Sequence, residues 1–227
     1  VVRFHPEVIL RKNERNVGFA RAVNQALSLS KAPYALLLNP DTVVVPGLFD
    51  TVVGYLEAHP ETAVAGPRIL DGDGALQGSA RSFPSPSLML FGRRSLLTRF
   101  FPRSSLAKKS IRNSESNGVS VLDVDWVSGA AMVLRRSAVE DAGFLDERFF
   151  MYWEDVDWCR RMKEKGWCVA YVPSASVIHY VGVSSSRKRW ATLFMFHAGF
   201  LKYFLKYSAA PPVLAAPLVA CGLAIRF

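Results

Sequence analysis

The apolar run Tyr34-Ala35-Leu36-Leu37-Leu38 halts at Asn39-Pro40-Asp41 and turns apolar again at Thr42-Val43-Val44. This constrains the fold more than any other feature. A strand this greasy is of the kind buried on both faces, which requires helices packed on either side of a sheet. The neighbouring segments supply them. Gly18 to Leu29 carries Phe19, Ala22, Val23, Ala26 and Leu27 on one helical stripe. Leu48, Phe49, Val52, Val53 and Leu56 repeat at helical spacing as far as His59, and Pro46 suits a first helical position. Val8 to Leu10 and Ala63 to Ala65 read as short strands, with Asp71-Gly72-Asp73-Gly74 a turn. Such alternation predicts an α/β fold built on parallel strands.

Arg103 to Gly118 is rich in Ser, Asn and Lys and reads as a surface loop, after which Val121 to Leu134 resumes regular structure. Ser137 to Glu140 fits a capping box on a short helix closed by Gly143. A second helix spans Glu154 to Lys165 and ends at Gly166; Trp167 to Val172 is a strand stopped by Pro173, and Ala175 to Ile178 another. Beyond Ser186 the character changes to a basic, aromatic helix containing Trp190, Phe194, Phe196, Phe200, Tyr203 and Phe204. The apolar stretch from Ser208 to Ile225 contains three prolines. It is near the ~17-residue lower limit for a span, and an interfacial, membrane-lying segment fits it better. The expected organisation is an α/β unit over 1–186 and a membrane-proximal tail over 187–227.

The formal charge of +9 favours anionic partners without choosing among them. No helix-turn-helix, zinc or RNA-recognition signature accompanies it, so nucleic acid is not the expected partner. No GxGxxG follows a strand, which disfavours a dinucleotide-dependent oxidoreductase. Three cysteines without a CxxC point to a reduced compartment.

Three places can carry chemistry. A carboxylate at the end of a parallel strand, such as Asp41, stands where open α/β sheets bind ligands, and hard oxygen ligands suit Mg²⁺ or Mn²⁺. An ordinary acid in a strand-to-helix turn would look the same. Glu154, Asp155 and Asp157 open a helix behind Phe149, Phe150, Tyr152 and Trp153. Acids there complement the helix dipole, and Asp157 lies i,i+4 from Arg161. The aromatic frame adds desolvation, which raises a carboxyl pKa toward that of a general base. Asp157 points roughly 200° around the helix from Asp155, so Asp155 is taken as the reactive acid and Asp157 as structural. His179 follows a strand and would meet Asp41 if the two strands share a sheet edge.

Taken together, "NERNVGFARAVNQAL", "LLLNPDTVVVPG", the segment from Val124 to Trp167, and "VPSASVIHYVGVSS" resemble glycosyltransferase family 2, in particular its rhamnosyltransferase-like members. The resemblance covers about Phe4 to Ser186. It implies a GT-A fold (a Rossmann-like, mixed, mostly parallel sheet flanked by helices), a nucleotide-diphospho-sugar donor, a divalent metal (Mg²⁺ or Mn²⁺) and inversion at the anomeric carbon. By position, Asp41 matches the metal-binding acid, with Asn39 replacing the first Asp of the family's DxD-type motif, and His179 matches a metal-ligating histidine. Asp155 matches the catalytic base, with Glu154 beside it and Trp153 in the motif near the acceptor. Asn16, Gly18 and Asn24 match an element lining the donor site, and Gly129 lies where the chain passes under the transferred sugar. Ala26 departs from the family's usual Gly. The resemblance also implies a strand–helix–strand ahead of Phe4, so the chain is expected to start partway through its domain. The expected acceptor is a cell-surface glycan or a lipid-linked one, with the protein in the cytoplasm, peripheral on the inner face of the membrane. The competing expectations are a truncated remnant that at most binds nucleotide, and a basic nucleic-acid-binding protein.

Overall fold

The computed structural model describes residues 5–84, 111–180 and 189–207. Helix α1 (Phe19–Leu29) leads into β1 (Tyr34–Leu38) and β2 (Thr42–Val44), then α2 (Leu48–Ala58), β3 (Thr62–Leu70) and the short β4 (Ala80–Arg81). A single 3-10 turn at Arg112–Glu115 precedes β5 (Leu122–Asp123), β6 (Trp126–Val127) and β7 (Ala131–Arg135). There follow α3 (Arg136–Ala142), α4 (Glu154–Glu164), β8 (Cys168–His179) and α5 (Arg189–Tyr207). The main sheet runs β1-β7-β3-β8-β2, with β5 also on β8; β4 and β6 pair separately.

The sheet is mixed and flanked by helices, as expected, but only the β3–β8 ladder is parallel. Antiparallel β7 is inserted between β1 and β3. Two reversals restore direction, so β1, β3 and β8 all point the same way and their carboxyl ends share one edge of the sheet. That edge is the one where α/β folds place ligands.

Side-chain alternation divides the core into two layers. Met132 and Leu134 of β7 face Ala20, Leu27, Val139, Trp158 and Met162 from α1, α3 and α4. Ala131 and Val133 face Leu48, Val52 and Leu56 of α2, all three fully buried. Burying each of these α2 side chains stabilises the fold by roughly 1.5–3 kcal/mol.

Several local expectations change. Strand β1 has the expected limits but sits at the edge of the sheet, bonded among the described strands to β7 alone, and its Leu38 is exposed. Val8, Ile9 and Leu10 form no strand; among the described residues no strand pairs with them, and all three are exposed. Helix α2 starts at Leu48 behind the left-handed Gly47 (φ 84°), so Pro46 precedes the helix and is not its first residue. The capping box fails because β7 runs straight into α3: Arg135 occupies the cap position, and Ser137 lies inside the first turn. Pro173 does not stop its strand. The ladder slips from Pro67↔Val172 to Arg68↔Ser176, so Pro173, Ser174 and Ala175 bulge out where no ladder donor is required. The loop expected from Arg103 is described only from Ile111 onward, and Ser208 to Ile225 lies outside the described residues. Among the described residues no helix is long and apolar enough to cross a membrane.

Candidate active site

The register of β2 on β8 builds the first half of the site. Thr42 pairs with His179, and the Tyr180 amide donates to the Asp41 carbonyl at 2.9 Å, which puts the ends of the two strands side by side. The Asp41 Oδ1 and His179 Nε2 atoms are then 3.2 Å apart, both side chains largely buried. The Asn39 amide Nδ2 lies 3.4 Å from the same Nε2.

Gln77 decides which imidazole nitrogen carries the proton. Its Nε2 donates to Asp71 Oδ1 (2.6 Å) and to the His179 carbonyl (2.9 Å), which fixes the amide so that Oε1 faces His179 Nδ1 at 3.1 Å. An amide oxygen only accepts, so Nδ1 holds a hydrogen, and in the neutral form of the ring the Nε2 lone pair faces Asp41. A lone pair opposite a carboxylate oxygen is an arrangement that a cation relieves. The donor set, one carboxylate and one imidazole, suits Mn²⁺ or Mg²⁺, which complete their shells with water and phosphate oxygens. Among the described residues no group of three or more His, Cys, Asp and Glu side chains is placed to hold a metal, so those residues offer the pair Asp41 and His179.

The second half is the start of α4. Asp155 Oδ2 accepts from the Gly129 amide at 2.9 Å, and Oδ1 from the Val156 amide at 2.8 Å. Burial raises its pKa against these donors and against nearby Arg81. Glu154 is only 6% exposed, and its Oε2 has no hydrogen-bond partner among the described residues. Burial, reinforced by Asp155, pushes its pKa up to about 8. Asp157, fully buried, accepts from Arg161, Lys206 and Tyr207, the structural role expected of it.

The Ser128-Gly129-Ala130 loop joins the halves. The Asn39 amide donates to the Ala130 carbonyl at 2.9 Å, while the adjacent Gly129 amide holds Asp155. Asn39, Asp41, His179, Gly129 and Asp155 are therefore brought together. Asn16 and Gly18 lie at the start of α1 and Asn24 within it. Asn16 Oδ1 accepts from the Gly18 amide at 3.0 Å, closing a turn in which Gly18 adopts φ 86°. A Cβ on Gly18 would lie 2.6 Å from the Phe150 carbonyl oxygen, an approach only glycine permits. The Asn24 side chain exchanges hydrogen bonds with the main chain of Leu145 and also donates to Glu147.

Trp153, expected in the motif near the acceptor, packs against α5. Its indole donates to the Phe196 carbonyl at 2.9 Å, and its ring packs against Phe196, Phe200 and Tyr203 of α5. Tyr152 and Trp153 are the two non-glycine residues with positive φ among those described, at 69° and 77°. Such a conformation costs on the order of 1–3 kcal/mol per residue and persists only when the surroundings impose it. Gln77 and Arg81 were not singled out from sequence, and α5 was read there as part of a membrane-proximal tail, with no place in the site. The Asp71–Gly74 turn was the available signal for Gln77, since a reversal there returns the chain beside the end of β3. Nothing local marks Arg81.

The chain matches the family described as "Glycosyltransferase like family 2" over residues 1–195, and it belongs to that family. It is 34% identical over 197 residues to the N-acetylglucosaminyl-diphospho-decaprenol L-rhamnosyltransferase of Mycobacterium tuberculosis (strain CDC 1551 / Oshkosh), covering 82% of this chain and 63% of that protein. It is 27% identical over 183 residues to rhamnosyltransferase WbbL of Escherichia coli (strain K12), covering 80% and 64% respectively. The chain thus spans somewhat under two thirds of the length of these relatives. Two solved structures share the GT-A fold. The mannosyltransferase PcManGT from Pyrobaculum calidifontis in complex with GDP-Man and Mn²⁺ superposes with a TM-score of 0.56 at 15% identity, over 98% of this chain and 59% of the other. GalNAc-T7 with UDP, GalNAc and Mn²⁺ gives 0.54 at 13% identity, over 77% and 32%. Most of α5 lies past residue 195, beyond the family match.

Proposed function

We propose that this chain carries out an inverting sugar transfer from a nucleotide-diphosphate donor to a cell-surface glycan or lipid-linked acceptor. Rhamnose is the first candidate sugar, since two relatives bear rhamnosyltransferase names. The observation that carries the reading is the loop from Ser128 to Ala130, bonded through Ala130 to the Asn39–Asp41 turn and through Gly129 to Asp155. It links a paired carboxylate and imidazole to a half-buried carboxylate suited to act as a base.

In the proposed reaction Asp155 takes the proton of an acceptor hydroxyl. The acceptor oxygen forms its bond to the anomeric carbon while the bond to the diphosphate breaks, and the electron pair leaves with the diphosphate. Each Asp155 oxygen accepts one main-chain hydrogen bond and keeps a lone-pair site for the incoming hydroxyl. A raised pKa makes Asp155 a stronger base than an exposed aspartate. A divalent metal held by Asp41 and His179 would supply charge stabilisation to the departing diphosphate. Asn39 and Gln77 hold the imidazole, and Arg81 adds positive charge near Asp155. Work at the cytoplasmic membrane face is part of the proposal, supported by the basic, aromatic α5 and the apolar sequence beyond it. Nucleic acid is not a proposed partner.

The test is calorimetric titration of nucleoside diphosphates with Mn²⁺, on this chain and on Asp41→Ala, followed by transfer assays on Asp155→Asn. Metal-dependent binding is expected, lost in Asp41→Ala and kept in Asp155→Asn, whose transfer rate falls at least about 100-fold. Metal-independent binding, or near-normal transfer by Asp155→Asn, would remove the assignment.

A further inference from the structure

We propose that α5 is a positioning element of the active site, one that holds the left-handed Tyr152–Trp153 turn and thereby aims Asp155. The proposal rests on the reading of Asp155 as the base.

Four observations converge on this turn. The first is the main chain of α5, which lies directly on it at Gly199. A Cβ there would stand 2.8 Å from Trp153 Cδ1 and 2.9 Å from the Tyr152 carbonyl oxygen, so the helix approaches as closely as it does because residue 199 has no side chain. The second is the Trp153 indole, which is bonded to the Phe196 carbonyl and boxed by three α5 aromatics. Third, the far end of α5 is bolted to the same catalytic helix. Lys206 bonds both Asp157 (2.5 Å) and Asp146 (2.9 Å), Tyr207 bonds Asp157 (2.8 Å), and the Arg160 guanidinium lies 3.9 Å from the centre of the Tyr207 ring.

The fourth observation links the turn to the carboxylate. Trp153 is the cap residue of α4, its carbonyl accepting from the Asp157 amide at 2.9 Å, and Glu154 and Asp155 follow at once. A relaxed turn rotates the first turn of α4 and carries Asp155 Oδ2 off the Gly129 amide. The Asp41–His179 pair does not share this dependence, because it is set by the β2–β8 register and by Gln77. The helix thus acts on the base and leaves the metal pair alone.

Gly199→Ala separates positioning from plain stability. Alanine is the better helix former, so α5 itself loses nothing by the change, whereas the added methyl group meets Trp153 and the Tyr152 carbonyl. A misplacement near 1 Å costs about 100-fold in rate. The expected result is a kcat lowered by about that factor, a dissociation constant for nucleoside diphosphate with Mn²⁺ within about twofold of wild type, and faster hydrogen exchange at the Gly129 amide but not at Asn39. Tyr207→Phe, which removes one hydroxyl far from the turn, serves if Gly199→Ala folds poorly; the same pattern is expected at a few-fold amplitude. Unchanged Gly129 exchange in a folded variant overturns the proposal, as does an unchanged kcat or an equal loss of donor binding. If the wild-type chain binds donor yet transfers no sugar, the transferase reading fails, and Gly129 exchange alone decides whether α5 aims Asp155.

Discussion

Replacing Gln77 with Leu tests the assignment of the imidazole tautomer. The substitution keeps the Gln77 main-chain bonds to Ile69 and Asn113, so the local chain path survives. It removes three side-chain bonds: two donated by Nε2, and the one that Oε1 accepts from His179. At about 1 kcal/mol net for each, the stability cost is at most about 3 kcal/mol. The effect on metal binding is more specific. Without an acceptor at Nδ1, the ring places its hydrogen on Nε2 and donates to Asp41 Oδ1, the atom 3.2 Å away. A metal must then displace that proton, and Nδ1 regains no partner. Loss of such an orienting bond weakens metal affinity about 10- to 100-fold, or roughly 1.4–2.7 kcal/mol. Manganese titration followed by calorimetry or electron paramagnetic resonance reads the affinity, and nitrogen NMR of His179 reads the tautomer. A folded Gln77→Leu protein that binds Mn²⁺ within twofold of wild type, with Nδ1 still protonated, would refute the reasoning.

Glu154 gives the protein a pH dependence of known sign. Its ordinary pKa of 4.5 applies when unfolded, and about 8 when folded, so between these values the native state retains a proton the unfolded chain has released. The stability from this group is complete below about pH 4.5 and is lost as pH rises through 8. Glu154→Gln should flatten that decline in denaturant titrations at pH 5 and 9; an equally steep slope in the variant would place the cause elsewhere. Lys206→Met removes one cation from buried Asp157 and one from Asp146. A loss of about 3 kcal/mol is expected by chemical denaturation, and a loss below about 0.5 kcal/mol would show that Arg161 and Tyr207 suffice.

Much of the site was legible because its elements obey local rules. The β1 strand shows itself as five apolar residues stopped by a proline turn, and α4 as acids followed by a 3.6-residue apolar period and a glycine. The misreadings have local causes too. Pro173 stops an isolated strand, but a strand with a bulge tolerates it, and only the neighbouring β3 reveals the bulge. Ser137 satisfies the capping pattern, yet β7 leaves no room for a cap because its last residue is the first half-turn of α3. Val8 to Leu10 has the composition of a strand, but a strand exists only where a partner takes up its hydrogen bonds.

The residues themselves determined the chemistry on offer: a carboxylate after a strand, an imidazole after another, and two acids in an aromatic frame. Tertiary structure alone decided how these meet. A one-residue change in the β2–β8 register would turn His179 to the other face of the sheet and away from Asp41. The tautomer of His179 depends on Gln77, 102 positions away along the chain. Trp153 reads from sequence only as part of the motif near the acceptor; its packing against α5 appears only because a helix of aromatic residues docks there through a glycine. Side-chain chemistry is a property of each residue and can be read one letter at a time; proximity is a property of pairs that the chain brings together only on folding.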